Sequence, residues 1–359
     1  MKKIDFYILK KFLGTFFFAI TLILAVAVIF DITEKIDNFM EKGAPLEAIV
    51  FDYYKNFIPY FANLFTPLFV FIAVIFFTSK MAYNSEIIAI LSSGVSFRRL
   101  MYPYFLGALF ISIFSFLLGG YIIPPANVVR LRFETRYVDR RHETKSENIH
   151  MQIEPGVFVY IGNYYSYNDK GDYFNLEKFD GKTLKTKLSA RSIRYDSITG
   201  GWTLKDYTIR EIFDDGSQKI SSGRKMDTLI SIKPNDFKEE KHFYEMMNND
   251  ELNDYIEEQK RRGVGNVEAF VIEKYRRIAN PFAAFILTLI GVSLASRKIR
   301  GGMGLHIGIG ISLSFAYIMF MTISTTFAIS GSMSPLLAVW LPNIVFALIG
   351  VVLYNRAPK

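Results

Sequence analysis

The sequence predicts an α-helical membrane protein of six transmembrane helices with an inserted all-β, jelly-roll-like domain. Three observations predict it: six long apolar runs nearly free of charge, a polar stretch of alternating residues between the third and fourth runs, and basic residues gathered at one set of run ends. The 359 residues are 51% hydrophobic and 16% aromatic, which a large soluble chain could match, so distribution decides. Crossing about 30 Å of hydrocarbon takes roughly 20 helical residues, whereas soluble chains show shorter amphipathic segments.

The apolar runs cover 12–32, 57–78, 101–123, 278–296, 305–329 and 336–353. An even number puts both termini on one side. Basic residues are retained on the cytoplasmic face, and one set of ends carries Lys2, Lys3, Lys10, Lys11, Lys80, Arg98, Arg99, Arg297, Lys298, Arg300, Arg356 and Lys359. The loop 31–55 holds more acids than bases. Both termini are therefore expected in the cytoplasm, and the central domain outside it. Ala25-Val26-Ala27 resembles a signal-peptidase site, but the apolar stretch continues through Phe30, past the 7 to 15 residues typical of a signal. The first run reads as an uncleaved span.

Between spans two and three lies a short polar helix, Asn84 to Gly94, followed by Arg98 and Arg99. Asn84 or Ser85 can cap its start, Glu86 suits the helix dipole in the first turn, and Gly94 can end it. Its spacing puts Glu86, Ala89, Ile90 and Ser93 on one face, a surface suited to a groove in a partner.

The region 130–266 is polar and lacks long apolar runs. Val157-Phe158-Val159-Tyr160-Ile161, 173–176 and 189–195 alternate as half-buried strands, and turn signals separate them at 168–171, 180–181, 199–201 and 214–216. Regular short strands with such breaks suggest a sandwich, jelly roll or barrel. From 250 to 262 the period changes, and Leu252, Tyr255, Ile256 and Gln259 suggest a helix leading back to the membrane. The chain has no cysteine, so this domain holds together without disulfides, which about 130 residues can do.

Catalytic constellations are sparse. His142, His150, His242 and His306 show no metal-binding spacing. No phosphate loop is present: Gly301-Gly302-Met303-Gly304 is not followed by Lys-Ser/Thr. Gly304 and Gly308 are spaced for close helix packing. The net charge of +8 comes from span-flanking residues and does not indicate nucleic acid. The spans contain Pro59, Pro67, Pro281 and Pro342 but almost no interior charge, which argues against an ion-coupled secondary transporter. A membrane-anchored scaffold or sensor is the remaining alternative, although it explains six anchors poorly. With no nucleotide site of its own, a transporter of this design takes its energy from a separate protein.

Three spans, a β-rich insertion, three more spans and a Ser85-Glu86…Ser93-Gly94 helix resemble the lipopolysaccharide-export permeases, the LptF/LptG (YjgP/YjgQ) family. Arg98-Arg99, the Pro124-Pro125-Ala126-Asn127 exit from span three with Arg130 and Arg132 beyond it, and the helix 252–263 extend the likeness over nearly the whole chain. The resemblance implies a non-enzymatic transmembrane subunit of an ABC exporter in the bacterial inner membrane. Its implied partners are a second homologous permease, a cytoplasmic ATPase dimer, periplasmic jelly-roll bridge proteins and lipopolysaccharide, with no cofactor in the chain itself. Expected domains are 1–129 (spans one to three, coupling helix about 82–94), 130–266 (periplasmic β domain and linker helix) and 267–359 (spans four to six).

On that reading Ser85, Glu86, Ala89, Ile90, Ser93, Gly94, Arg98 and Arg99 contact the ATPase, with Glu86 paired to a basic residue. The expected contacts to an anionic lipid head are Lys35, Arg130, Arg132, Arg136, Arg276 and Arg277, since the arginine fork matches phosphate and carboxylate. Glu34 stands where some family members carry lysine. Phe16, Phe17, Phe18, Ile20 and Leu24 of span one, with Phe315, Ile318, Met319 and Ile323 of span five, are candidates for a lateral gate by the same analogy.

Overall fold

A computed structural model describes residues 2–138, 145–165, 168–197, 199–213, 215–232, 234, 243–261, 267–297 and 302–357. Helix α1 is Lys3–Glu41, α2 Leu46–Tyr83, α3 Glu86–Ser92 and α4 Phe97–Tyr137. Six strands follow: β1 Lys145–Glu154, β2 Val157–Tyr165, β3 Lys170–Asp180, β4 Thr183–Asp196, β5 Gly201–Ile212 and β6 Gln218–Thr228. Helices α5 Asn249–Arg261, α6 Glu268–Ala295, α7 Gly302–Ile329 and α8 Pro335–Asn355 complete the chain. Of the described helices, α1, α2, α4, α6, α7 and α8 are long and apolar enough to span a bilayer.

These helices outrun the apolar segments of the sequence, because a helix keeps its backbone hydrogen bonds after leaving hydrocarbon. The helix that carries the third apolar run, 101–123, extends beyond it. It continues as helix to Tyr137, so the helical unit comprises Met1–Val138, Tyr244–Leu252 and Glu268–Lys359, and the β unit Asp139–Phe243 with Asn253–Val267. Two of the long helices widen into single π-helical turns, at Ile49–Tyr54 in α2 and Leu118–Ile122 in α4.

In the helical unit α1 docks through a stripe at helical spacing. Ile8, Phe12, Phe16 and Ile20 are buried against Val74, Phe77, Met81 and Tyr104 of α2 and α4. Helix α6 is the most enclosed, with Ala279, Ala283, Leu287 and Ile290 all fully buried. Several polar groups inside the bundle are paired with one another, as hydrocarbon favours. Thr78 donates to Tyr104 OH at 3.0 Å, Tyr317 donates to Asn343 Oδ1 at 2.8 Å, and Asn343 Nδ2 donates to the Ala279 carbonyl at 3.2 Å. His306 meets Ser79 Oγ at 3.1 Å through Nδ1.

Among the described residues the glycine pair Gly304 and Gly308 packs against nothing: an added Cβ at either would meet no atom within 4 Å. The close approach is made elsewhere. A Cβ on Gly291 of α6 would lie 2.8 Å from Val74 Cγ1 and 3.2 Å from the Phe71 ring of α2.

The β unit is one antiparallel sheet in the order β1-β2-β3-β4-β5-β6, each strand paired with the next. The alternation in the sequence maps onto it, with Val159, Ile161, Phe174, Leu176, Leu188 and Ile193 on the covered face. The connections fall at the sequence's turn signals, where Gly181, Gly200 and Gly216 adopt φ of 59°, 68° and 80°. Asp214 lies outside the described residues. Trp202 is 1% exposed and donates through Nε1 to the Ile232 carbonyl at 3.0 Å. The predicted helix over 250–262 is α5, and Arg262 lies outside the described residues, as do His142, His242, Lys298, Arg300 and Gly301.

Candidate functional site

Two polar clusters occupy opposite ends of the helical unit. The first surrounds α3. Ser85 precedes it in a left-handed conformation (φ 61°) and caps no helical N–H with its side chain, so neither expected capping bond forms. Asn84 instead donates from Nδ2 to Glu86 Oε1 at 3.3 Å, and Tyr7 OH of α1 donates to Glu86 Oε2 at 3.2 Å. The stop is as expected: Gly94, φ 86°, follows the C-cap Ser93 and donates to the Leu91 carbonyl at 3.0 Å. Glycine adopts this left-handed geometry without steric cost.

The face that α3 turns outward differs from the expected one. Ile87 is buried, and Ile90 and Leu91 pack on the core shared by α1, α2 and α4, because a seven-residue helix must seat its apolar side somewhere. Ile88 is 49% exposed, and Ala89, Ser92, Ser93 and Gly94 are exposed beside it. Ser93 Oγ donates to the Ile90 carbonyl at 2.7 Å.

Arg98 is exposed, whereas Arg99 is committed internally. Its Nη1 and Nη2 donate to Oδ1 and Oδ2 of Asp5, each at 2.7 Å. The Phe97 and Tyr354 rings lie 5.7 Å apart, which brings the end of α8 to the same place. The first turn of α1, the end of α8 and α3 therefore share one end of the bundle.

The second cluster forms at the other end. Lys35 pairs with Asp31 at 2.8 Å and Glu134 at 3.6 Å and also donates to Tyr53 OH. Tyr53 and Tyr54, both carried by the first π turn, donate to the two Asp31 oxygens at 3.2 and 3.1 Å. Further along, Arg277 is 7% exposed and donates to Glu273 Oε1 (2.9 Å), the Met247 carbonyl (2.8 Å), Asn249 Oδ1 (3.1 Å) and the Tyr244 carbonyl (3.0 Å). It thereby ties the returning segment 244–249 to α6. Burial, reinforced by Glu245, pushes the Tyr244 phenol up. Arg130 is equally buried, 3.9 Å from Glu245 and 4.6 Å over the Tyr60 ring. Glu273 also meets Arg276 at 2.5 Å.

Within this cluster a cavity of about 190 Å³ opens between α2, α4, α6 and α7. Its polar wall includes Tyr60, Asn63, Asn127, Arg276 and Asn280, and its apolar wall Leu64, Ile318 and Met321. Arg130 and Arg277 are thus structural in their contacts, while Arg276 faces the cavity and Arg132 and Arg136 are exposed. Arg136 also covers the Tyr137 ring at 5.2 Å.

Of the gate candidates, Phe16 and Ile20 are buried, and Phe18, Phe315, Met319 and Ile323 are exposed. Sequence reasoning missed Asp5, Tyr60, Glu245 and Glu273. One signal was available: Glu273-Lys-Tyr-Arg276-Arg277 puts the acid three and four residues before two arginines, the spacing of helical ion pairs. Among the described residues no group of three or more His, Asp or Glu is placed to hold a metal.

Six helices long and apolar enough to span a bilayer, an inserted antiparallel sheet and a short helix between spans two and three define a multi-pass membrane protein. The profile of the lipopolysaccharide export system permease LptF/LptG family matches residues 6–356. The chain belongs to that family, whose members are multi-pass permeases of the inner membrane. Comparison with curated proteins returns no match.

Proposed function

We propose that the chain is one permease subunit of an ATP-driven exporter that extracts lipopolysaccharide from the inner membrane. It works beside a second homologous permease and over a cytoplasmic ATPase dimer. The observation that supports coupling is α3, which turns Ile88, Ala89 and Ser92 outward at the bundle end where both termini gather. Basic residues concentrate at that end, so by the positive-inside rule it is the cytoplasmic one.

On this reading Glu86 is presented by Tyr7 and Asn84 at the margin of the docking helix, with Ser85, Ala89, Ser93, Gly94 and Arg98 around it. Ile90 and Arg99 support it from behind. The β unit is then periplasmic and hands lipid to bridge proteins of similar fold. Arg132 and Arg136 are the accessible head-group contacts at the outer end of α4, while Lys35, Arg130 and Arg277 hold the helices that present them.

The test is copurification of the ATPase with Glu86→Arg. Truncating one side of a buried interfacial pair costs about 2 to 5 kcal/mol, against about 0.2 to 1 kcal/mol for an exposed one. Loss of the ATPase by well over ten-fold is expected, and undiminished copurification together with normal export removes the assignment.

A further inference from the structure

The cavity beside Arg276 has the chemistry of a lipid-headgroup site. Among the described residues its charged neighbourhood is unbalanced: Arg130, Arg276 and Arg277 face two carboxylates, Glu245 and Glu273. Glu273 is shared between two of the arginines, through Oε2 to Arg276 and Oε1 to Arg277. Removing charge from water without full compensation is costly, and the described residues leave a surplus of one positive charge. An anion in the cavity supplies the compensation. Arg276 is placed to take it, because its side chain is 36% exposed and lines the opening, whereas Arg277 already makes four hydrogen bonds, at least one from each of its nitrogens.

A second observation concerns the opposite sign of hydrogen bond. Asn127 is fully buried and lines the same cavity. Its Nδ2 donates to the Glu245 carbonyl at 3.3 Å, which orients the amide and leaves Oδ1 with no partner. A buried acceptor left unpaired costs about 1 to 3 kcal/mol, so the ligand must carry an N–H or O–H donor as well as an anion.

Size and position narrow the class. Sites for drug-sized ligands run to about 300–1,000 Å³, so 190 Å³ takes one headgroup and not a whole lipid. Arg276 stands just before the apolar run that begins at Ile278, at the depth where hydrocarbon gives way to headgroups. Leu64, Ile318 and Met321 continue the wall on the apolar side.

We propose that this cavity binds the phosphodiester headgroup of a membrane phospholipid bearing a hydrogen-bond donor, ethanolamine or glycerol in class. The phosphate lies on Arg276, the donor on Asn127 Oδ1, and an acyl chain runs against Leu64, Ile318 and Met321. This site is separate from the export substrate contacts at Arg132 and Arg136, and occupying it needs neither ATP nor the ATPase.

The test is native mass spectrometry of the full chain, purified with whatever subunits accompany it, after exchange into nanodiscs. Phosphatidylethanolamine or phosphatidylglycerol should be retained about ten-fold better than phosphatidylcholine, whose trimethylammonium has no donor. Arg276→Gln should abolish the retention. Thr322→Phe, which fills the cavity from an exposed position on α7, should do the same in a protein whose charged cluster is intact. Equal retention of all three lipids, or unchanged retention in both variants, overturns the proposal. Recovery of lipopolysaccharide in place of phospholipid, or tight binding of inorganic phosphate to delipidated protein, overturns the assignment to a phospholipid.

Discussion

Arg277 and Glu273 form a buried pair, Nε to Oε1 at 2.9 Å, that lies one helical turn apart on α6 and fastens a distant piece of chain. The remaining nitrogens of Arg277 reach the carbonyls of Tyr244 and Met247, so one guanidinium bonds the segment re-entering the helical unit at both positions, beside the contacts Asn127 and Arg130 make to Glu245. Gly120, in the second π turn, makes room for it: a Cβ there would lie 2.9 Å from Asn249 Nδ2.

Arg277→Met should therefore destabilise the helical unit by about 3–5 kcal/mol, the cost of breaking a buried charge pair from one side. Arg277→Lys should recover little, because a single ammonium cannot reproduce the fork. Equilibrium unfolding of the chain in mixed micelles measures both. A loss below about 1 kcal/mol, the scale of an exposed pair, would show that the segment is held by other contacts.

Asp5 and Arg99 join the first turn of α1 to the helix that follows α3. Either Asp5→Ala or Arg99→Ala should raise amide hydrogen exchange over residues 3–12 by about ten-fold, local opening of a frayed terminus being the low-energy event. The double variant Asp5→Arg, Arg99→Asp should restore much of the protection. If exchange in the single variants matches the wild type, the pair does not anchor α1.

Gly291 and the pair Gly304 and Gly308 should respond oppositely to enlargement. Gly291→Val overfills the contact with Val74 and Phe71 and should cost about 1–3 kcal/mol. Gly304→Ala and Gly308→Ala meet open space and should cost nothing, since alanine favours helix over glycine by up to about 1 kcal/mol. Thermal unfolding of the isolated chain separates the two cases, and a large loss at Gly308 would contradict the packing described.

How much was legible varies with the range of the interaction. The apolar runs announced all six spans, because hydrocarbon imposes its thickness on contiguous residues. The alternation around Val159 and Phe174 announced strands, and glycines at positive φ marked their turns. Gly94 was readable as a helix stop for the same local reason. Residue type alone could not separate Arg132 from Arg277: both are arginines near a span end, yet one is exposed and the other spends its donors on a segment some thirty positions earlier in the chain.

The short helix shows the division most plainly. Its existence, its place between spans two and three and its terminal glycine follow from neighbouring residues and were set by the sequence itself. Which face it presents was decided only when α1, α2 and α4 packed: Ile87, Ile90 and Leu91 turned inward, Ile88 and Ala89 turned outward, and Tyr7 reached Glu86 from 79 positions away. Local backbone preferences act within a few residues and are written consecutively. Burial and ion pairing depend on which distant surfaces meet, and that is a property of the fold.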